Sequence, residues 1–235
     1  MISIPLSMGG LPLGLYLIPY YTSELGISLT AIGVIILLTR ITDVITDPLI
    51  GTLSDATPDK YGRRSLWVMI GLPVMAVSTI AVFDPPEQVS HVYLFFAVAA
   101  LYLGWTLISI PLSAWAAELS PDYHERSRIT GARALASSAG LLMVMSLPLI
   151  LGYLGSNGYP SLAPDHPGSL QPMLKIVAWV TVAGLFIFGP LLIFVVPQPS
   201  FTRKAGLNLG QALKLVWSNK PFLRLMAAGV TNQIG

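Results

Sequence analysis

The chain has 235 residues, of which 54% are hydrophobic and only 10% charged, with a mean hydropathy of +0.71. A soluble domain carries about 25% charged residues, so this deficit points to lipid as the solvent. A net charge of +2 gives no basis for nucleic-acid binding, and the lack of cysteine excludes disulfides, thiolate metal sites and cysteine nucleophiles.

A membrane-spanning helix needs about 20 mostly apolar residues. Six segments meet that length, at 2–22, 29–54, 66–84, 92–118, 130–154 and 173–196. The first has no basic flank and is interrupted by Pro5, Pro12 and Pro19, so it reads as a spanning helix and not as a cleavable leader. Short polar stretches rich in Pro, Gly, Asn and Asp separate the six, among them SDATPDKYGRRS and ELSPDYHERSR.

After Pro197 a linker over 198–221 carries Arg203 and Lys204 and then an apolar stripe of Leu209, Ala212, Leu213, Val216 and Trp217. That spacing fits an amphipathic helix, either in the membrane interface or packed on the protein. Residues 222–235 open another apolar segment. Its fourteen residues rise only about 21 Å, short of a core about 30 Å thick, so a seventh span is expected to be cut short and a further helix bundle to be missing.

Charge alternates from loop to loop. Lys60, Arg63 and Arg64, then Arg126 and Arg128, then Arg203, Lys204, Lys214, Lys220 and Arg224 fall on one side, while the intervening loops carry Glu24, Glu87 and Asp165 without Lys or Arg. The basic loops and the N-terminus are therefore expected in the cytoplasm. Lys175 opens the sixth segment at the outer interface, where snorkelling accounts for it, and Arg133 sits about one turn into the fifth, placed to snorkel or to pair at the cytoplasmic side. The histidines, His91, His124 and His166, all lie in loops without metal-ligand spacing.

Arg40 lies mid-segment, followed by Asp43 and Asp47 in TRITDVITDP. At ~100° per residue the three fall within about 60° of one another, on one helix face. Charges at bilayer depth face a cavity or a bundle interior and lie on ion paths. Two carboxylates a turn apart offer oxygen ligands to Na⁺ or share a proton; the alternative is an Arg40–Asp43 pair that only pins helices. Thr106, Ser109 and Ser113 form a second polar face in GWTLISIPLSAW, broken by Pro111. Tyr16, Tyr20, Tyr21, Tyr102, Trp105 and Trp115 are able to stack on a solute ring, with an interfacial belt the default for Tyr20, Tyr21 and Trp115. No P-loop, nucleophile elbow or dinucleotide fingerprint appears, so no enzyme and no cofactor is expected.

TRITDVITDPLIGTLSDATPDKYGRRSLW resembles the second helix and following loop of glycoside–pentoside–hexuronide:cation symporters, the melibiose permease-like family of the major facilitator superfamily. ISIPLSAWAAELSPDYHERSRITGAR resembles that family's fourth helix and the loop after it, and NKPFLRL extends the likeness past the linker. The resemblance implies an all-α polytopic membrane protein, with 1–197 the N-terminal six-helix bundle of a twelve-helix fold and 222–235 the start of helix seven. It implies cation coupling by Na⁺ or H⁺, with Asp43, Asp47 and Thr106 as cation ligands and Arg40 beside them. Asp55, Gly62, Arg63 and Arg64 correspond to a cytoplasmic gate. In melibiose-type members, carboxylates on helices one and four hold the sugar. Ser7 and Ser109 occupy those positions here, and a hydroxyl is no charged two-oxygen acceptor. With Tyr16 and Trp105 they are the expected solute-site residues. The solute is then a sugar, a different glycoside or a non-sugar such as a lysolipid; a receptor or scaffold that transports nothing is the reading from another class. The membrane expected is the plasma, or inner, membrane.

Overall fold

The computed structural model describes residues 1–58, 60, 62–86, 88–157, 159, 170–198 and 218–219, and of residues 11–13 the backbone alone. Contacts divide the chain into Met1–Pro199 and Ser200–Gly235, and all but two of the described residues belong to the first unit. The expected amphipathic helix and the start of a seventh span lie outside the described residues.

Among its described residues the regular structure of the first unit is all helical: α1 (Ser3–Leu15), the three-residue α2 (Leu17–Pro19) and a π-helical turn over Tyr20–Glu24, followed by α3 (Leu29–Ala56), α4 (Ser65–Phe83), α5 (His91–Glu118), α6 (Tyr123–Ser156) and α7 (Leu170–Val195). Among the described residues α3 to α7 are long and apolar enough to cross a membrane. The chain is thus an integral, multi-pass membrane protein.

The expected first span over 2–22 differs from what is found: it breaks at Tyr16. Pro19 has no N–H for the Leu15 carbonyl and its ring crowds that carbonyl, so the helix opens one turn earlier. It resumes where the Tyr20 amide reaches Tyr16 O at 3.0 Å, and ends at Gly26, whose φ of +69° turns the chain so that the Ile27 amide meets Tyr21 O at 2.9 Å. The fifth span also starts earlier than expected, because Asp122 caps it: its carboxylate accepts the His124 amide at 2.6 Å. Ser28 and Ser90 cap α3 and α5 in the same way.

Each of α3 to α7 carries one internal proline, Pro48, Pro73, Pro111, Pro148 and Pro190 in turn. Membrane helices accommodate such residues because neighbouring helices and local adjustments satisfy the freed carbonyls. Helices α4 and α5 pack most extensively on one another, α1 lies against α6 and α7, and α3 leans on α5. At Gly104 the α5 backbone comes so close to Met75 that an added Cβ would lie 2.8 Å from the Met75 backbone. The exposed sides of α3 and α6 are apolar, with Leu37, Ile41, Val44, Leu135, Leu142 and Leu149 bare, as suits lipid or further helices.

The end bearing the acidic loops is tied by polar contacts. Lys175 pairs with Asp84 at 3.0 Å, so it is a tether between α7 and α4 and not only a snorkelling lysine. Glu24 accepts the Leu170 amide at 3.2 Å. The belt expected for Tyr20, Tyr21 and Trp115 is not found: all three are buried, Tyr21 donating its hydroxyl to Val82 O at 2.7 Å and the Trp115 indole to Pro197 O at 3.1 Å. Tyrosine and tryptophan enter a core when a carbonyl is in reach of the polar tip.

Candidate functional site

Where α3 leans on α5 and approaches α1, a cavity of about 530 Å³ opens within the helix layer. Helix α3 contributes Arg40, Asp43 and Asp47, helix α5 Tyr102, Trp105, Thr106 and Ser109, and helix α1 Gly10 and Gly14. Arg40, Asp43 and Asp47 meet there because their spacing of three and four puts them on one side of α3. Tyr102, Trp105, Thr106 and Ser109 do the same on α5.

Thr106 is buried and donates its hydroxyl to Asp47 Oδ1 at 2.9 Å. Arg40 reaches Asp43 Oδ2 at 3.4 Å, at the long limit of a hydrogen bond. Its other terminal nitrogen donates to the Tyr102 hydroxyl at 3.1 Å, and its guanidinium carbon lies 4.3 Å from the centre of that ring. One guanidinium faces two carboxylates, which leaves one net negative charge. Two carboxylates and a hydroxyl form an all-oxygen donor set suited to a small hard cation. Among the described residues no three His, Cys, Asp or Glu side chains gather as a metal cage, so a cation held here relies on Asp43, Asp47 and hydroxyl or backbone oxygens.

Trp105 lies across α1 at Gly10, where an added Cβ would sit 2.9 Å from the indole edge. Ser109 lines the same cavity a turn from Thr106. Ser7 does not: it is buried, gives its hydroxyl to Ile4 O at 2.9 Å, and faces Gly140 of α6, where a Cβ would collide with its oxygen. It sits a turn nearer the N-terminus than Gly10, where the close α1–α6 approach that Gly140 permits sets it against α6. Tyr16 is likewise outside the lining and packs on the hydrophobic core, because the helix break at that residue turns it inward. Arg133 makes one long contact, 3.4 Å to Ser113 Oγ, a turn beyond Ser109, and its buried Nε has no hydrogen-bond partner.

A second cluster closes the end of the bundle that bears the basic loops. Arg64 is buried and joins three groups: Asp55 at 2.6 Å, Glu118 at 2.6 Å and Ser54 Oγ at 2.8 Å. Arg63 shares Glu118 at 2.9 Å. Burial opposes the Arg64 charge, but hydrogen bonds and charge from Glu118 and Asp55 outweigh it and raise its pKa above the ordinary value. Gly62 makes the turn before this pair at φ +71°, and a side chain there would run into Ser65 and Gln198. The Gln198 amide donates to Ser65 Oγ at 2.6 Å, which brings the end of α7 to the start of α4. The sequence reading passed over Glu118, the carboxylate both arginines use. Its signal was an acidic residue closing a span on the side of the basic loops.

A helical membrane bundle with a charged cavity between its helices can hold a polar group or ion within the membrane. The family model for MFS/sugar transport proteins matches residues 1–235, and the chain belongs to that family. Several curated relatives are named as symporters, in keeping with the resemblance to glycoside–pentoside–hexuronide:cation symporters. The chain is 31% identical over 143 residues to the uncharacterized symporter YnaJ of Bacillus subtilis (strain 168), an alignment covering 59% of this chain and 31% of the relative. It is 26% identical to the inner membrane symporter YicJ of Escherichia coli (strain K12), covering 87% of this chain and 43% of the relative. To the glucuronide carrier protein homolog of the same organism it is 26% identical, covering 77% of this chain and 37% of the relative. The chain spans less than half the length of each of these proteins.

Proposed function

We propose that this chain is the N-terminal bundle of a cation-coupled symporter that moves a small solute, a sugar or glycoside, by alternating access against a second helix bundle. The observation that carries the reading is the bond from Thr106 to Asp47 inside a cavity shared with Asp43 and Arg40. Na⁺ or H⁺ is taken at Asp43, Asp47 and Thr106, where it cancels the one net negative charge of the empty site. The loaded cavity is then neutral, and the bundles rock around it without dragging an uncompensated charge into a low-dielectric gap.

The solute lies against Trp105 and Ser109. Coupling is reciprocal: cation raises affinity for solute, and solute raises affinity for cation by the same factor. The cluster of Asp55, Arg63, Arg64 and Glu118 faces the cytoplasm, as the basic loops and the positive-inside rule require, and latches that end while the cavity is open outward. Gly62 supplies the tight turn that puts both arginines at Glu118. The N-terminus is cytoplasmic and the membrane is the plasma, or inner, membrane.

The test is uptake by the full-length transporter in proteoliposomes, with sugars and glycosides offered under a Na⁺ gradient, a pH gradient or neither. Gradient-driven accumulation by the wild type, lost in Asp43→Asn and Asp47→Asn, is the expected result. Gradient-driven uptake that survives both substitutions removes the cation-site assignment, and no gradient-driven uptake of any solute removes the symporter reading.

A further inference from the structure

Arg40 is held on a long lead. It lies mid-way along a membrane-spanning helix, yet its side chain is 59% exposed to the cavity. Its ion pair with Asp43 spans 3.4 Å within one helix, whereas arginine and carboxylate at full contact form paired bonds about 2.8 Å long. The second partner of the guanidinium is Tyr102 on the facing helix. The Tyr102 hydroxyl accepts one terminal nitrogen at 3.1 Å, and the guanidinium carbon sits 4.3 Å from the ring centre, inside the range of a cation–π contact. Arg40 is therefore shared between a carboxylate on α3 and an aromatic ring on α5.

A guanidinium does not give up its proton, so it is a permanent competitor for Asp43. A coupling cation enters only if Arg40 yields the carboxylate. A bidentate Arg40–Asp43 pair would resist that. We infer that Tyr102 is the positioning residue that holds the Arg40 charge partly off Asp43, and so sets the affinity of the site for its cation. The inference rests on the coupling role proposed above for Asp43 and Asp47.

The experiment is a double-mutant cycle in the full-length transporter, with Na⁺ titrated calorimetrically into the purified protein at fixed pH and solute uptake titrated with both Na⁺ and pH. Tyr102→Ala frees the guanidinium to close on Asp43, and the half-saturating cation concentration is expected to rise about tenfold, the scale of an exposed cation–π contact together with its hydrogen bond. The solute KM at saturating cation changes little. Tyr102→Phe keeps the ring and loses the acceptor, giving a smaller rise, and it carries the cycle if the alanine variant does not fold. In an Arg40→Ala background, substitution of Tyr102 is expected to leave cation affinity where it was. The same rise with and without Arg40 overturns the inference, since the ring would then act through packing alone; no rise in either background overturns it as well. A wild-type protein with neither Na⁺ nor pH dependence sinks the coupling reading and this one with it, an outcome distinct from a coupled wild type with a failed cycle.

Discussion

Thr106 of α5 donates its hydroxyl to Asp47 Oδ1 of α3 at 2.9 Å, with the threonine 5% exposed. This bond crosses between two helices and engages one oxygen of the Asp47 carboxylate. Hydrogen bonds to charged groups contribute about 1.5–3 kcal/mol, and leaving the carboxylate without its donor adds a desolvation cost. Thr106→Val keeps the shape and removes the donor, so the half-saturating cation concentration is expected to rise at least tenfold, on the order of 1.4 kcal/mol. Thr106→Ser restores the hydroxyl and should stay within a fewfold of wild type. Cation titration of uptake measures both.

The arginine cluster divides its partners by burial. Glu118 is 15% exposed and serves both Arg63 and the buried Arg64, whereas Asp55 is 67% exposed. Removing one partner of a buried pair leaves an uncompensated charge and costs about 3–5 kcal/mol; an exposed pair contributes about 0–1 kcal/mol. Glu118→Gln is therefore expected to lower the unfolding temperature of the detergent-solubilised protein by several degrees, and Asp55→Asn to shift it little. Equal shifts would show that Arg64 is anchored by Asp55 as much as by Glu118.

Gly62 precedes that cluster at φ +71°, with Ser65 and Gln198 packed where a side chain would go. A non-glycine residue in the left-handed region costs about 1–2 kcal/mol before any clash is counted. Gly62→Ala is expected to destabilise the protein by at least that much, and to do so less in a Gln198→Ala background, where the Gln198 contacts are removed and only Ser65 still crowds the position. Thermal unfolding of the two single variants and the double variant settles the point.

The parts of the site that a reader of the sequence reaches first are those that depend on one helix. The spacing of Arg40, Asp43 and Asp47 follows from helical periodicity alone, and the same three residues line the cavity. Contacts between helices are not encoded locally. The pairing of Thr106 with Asp47, and of Tyr102 with Arg40, depends on which face α5 turns to α3, and that is set by close approaches such as Gly104 on Met75. Ser7 shows the limit from the other side: its position in the chain matches a solute-site position in the family, but the approach of α1 to Gly140 turns it away from the cavity. Lys175 and Glu118 were invisible as pair members because Asp84, Arg63 and Arg64 are brought to them only by folding.

The indole of Trp105 gives a means of separating the solute side of the cavity from the cation side. Gly10 leaves room for it, and a methyl group at that position would lie 2.9 Å from the ring edge, closer than carbon atoms approach. The α1 backbone cannot retreat easily, because its Gly9 packs on Met75 and Thr181 and its Pro5 packs on Gly184 of α7. The ring must therefore tilt into the cavity, while Thr106, on the next position of α5, keeps its bond to Asp47. Gly10→Ala is expected to raise the solute KM severalfold with the cation dependence at saturating solute unchanged. A parallel rise in the half-saturating cation concentration would mean that Trp105 belongs to the cation site as well, and that the two halves of the cavity are not separable.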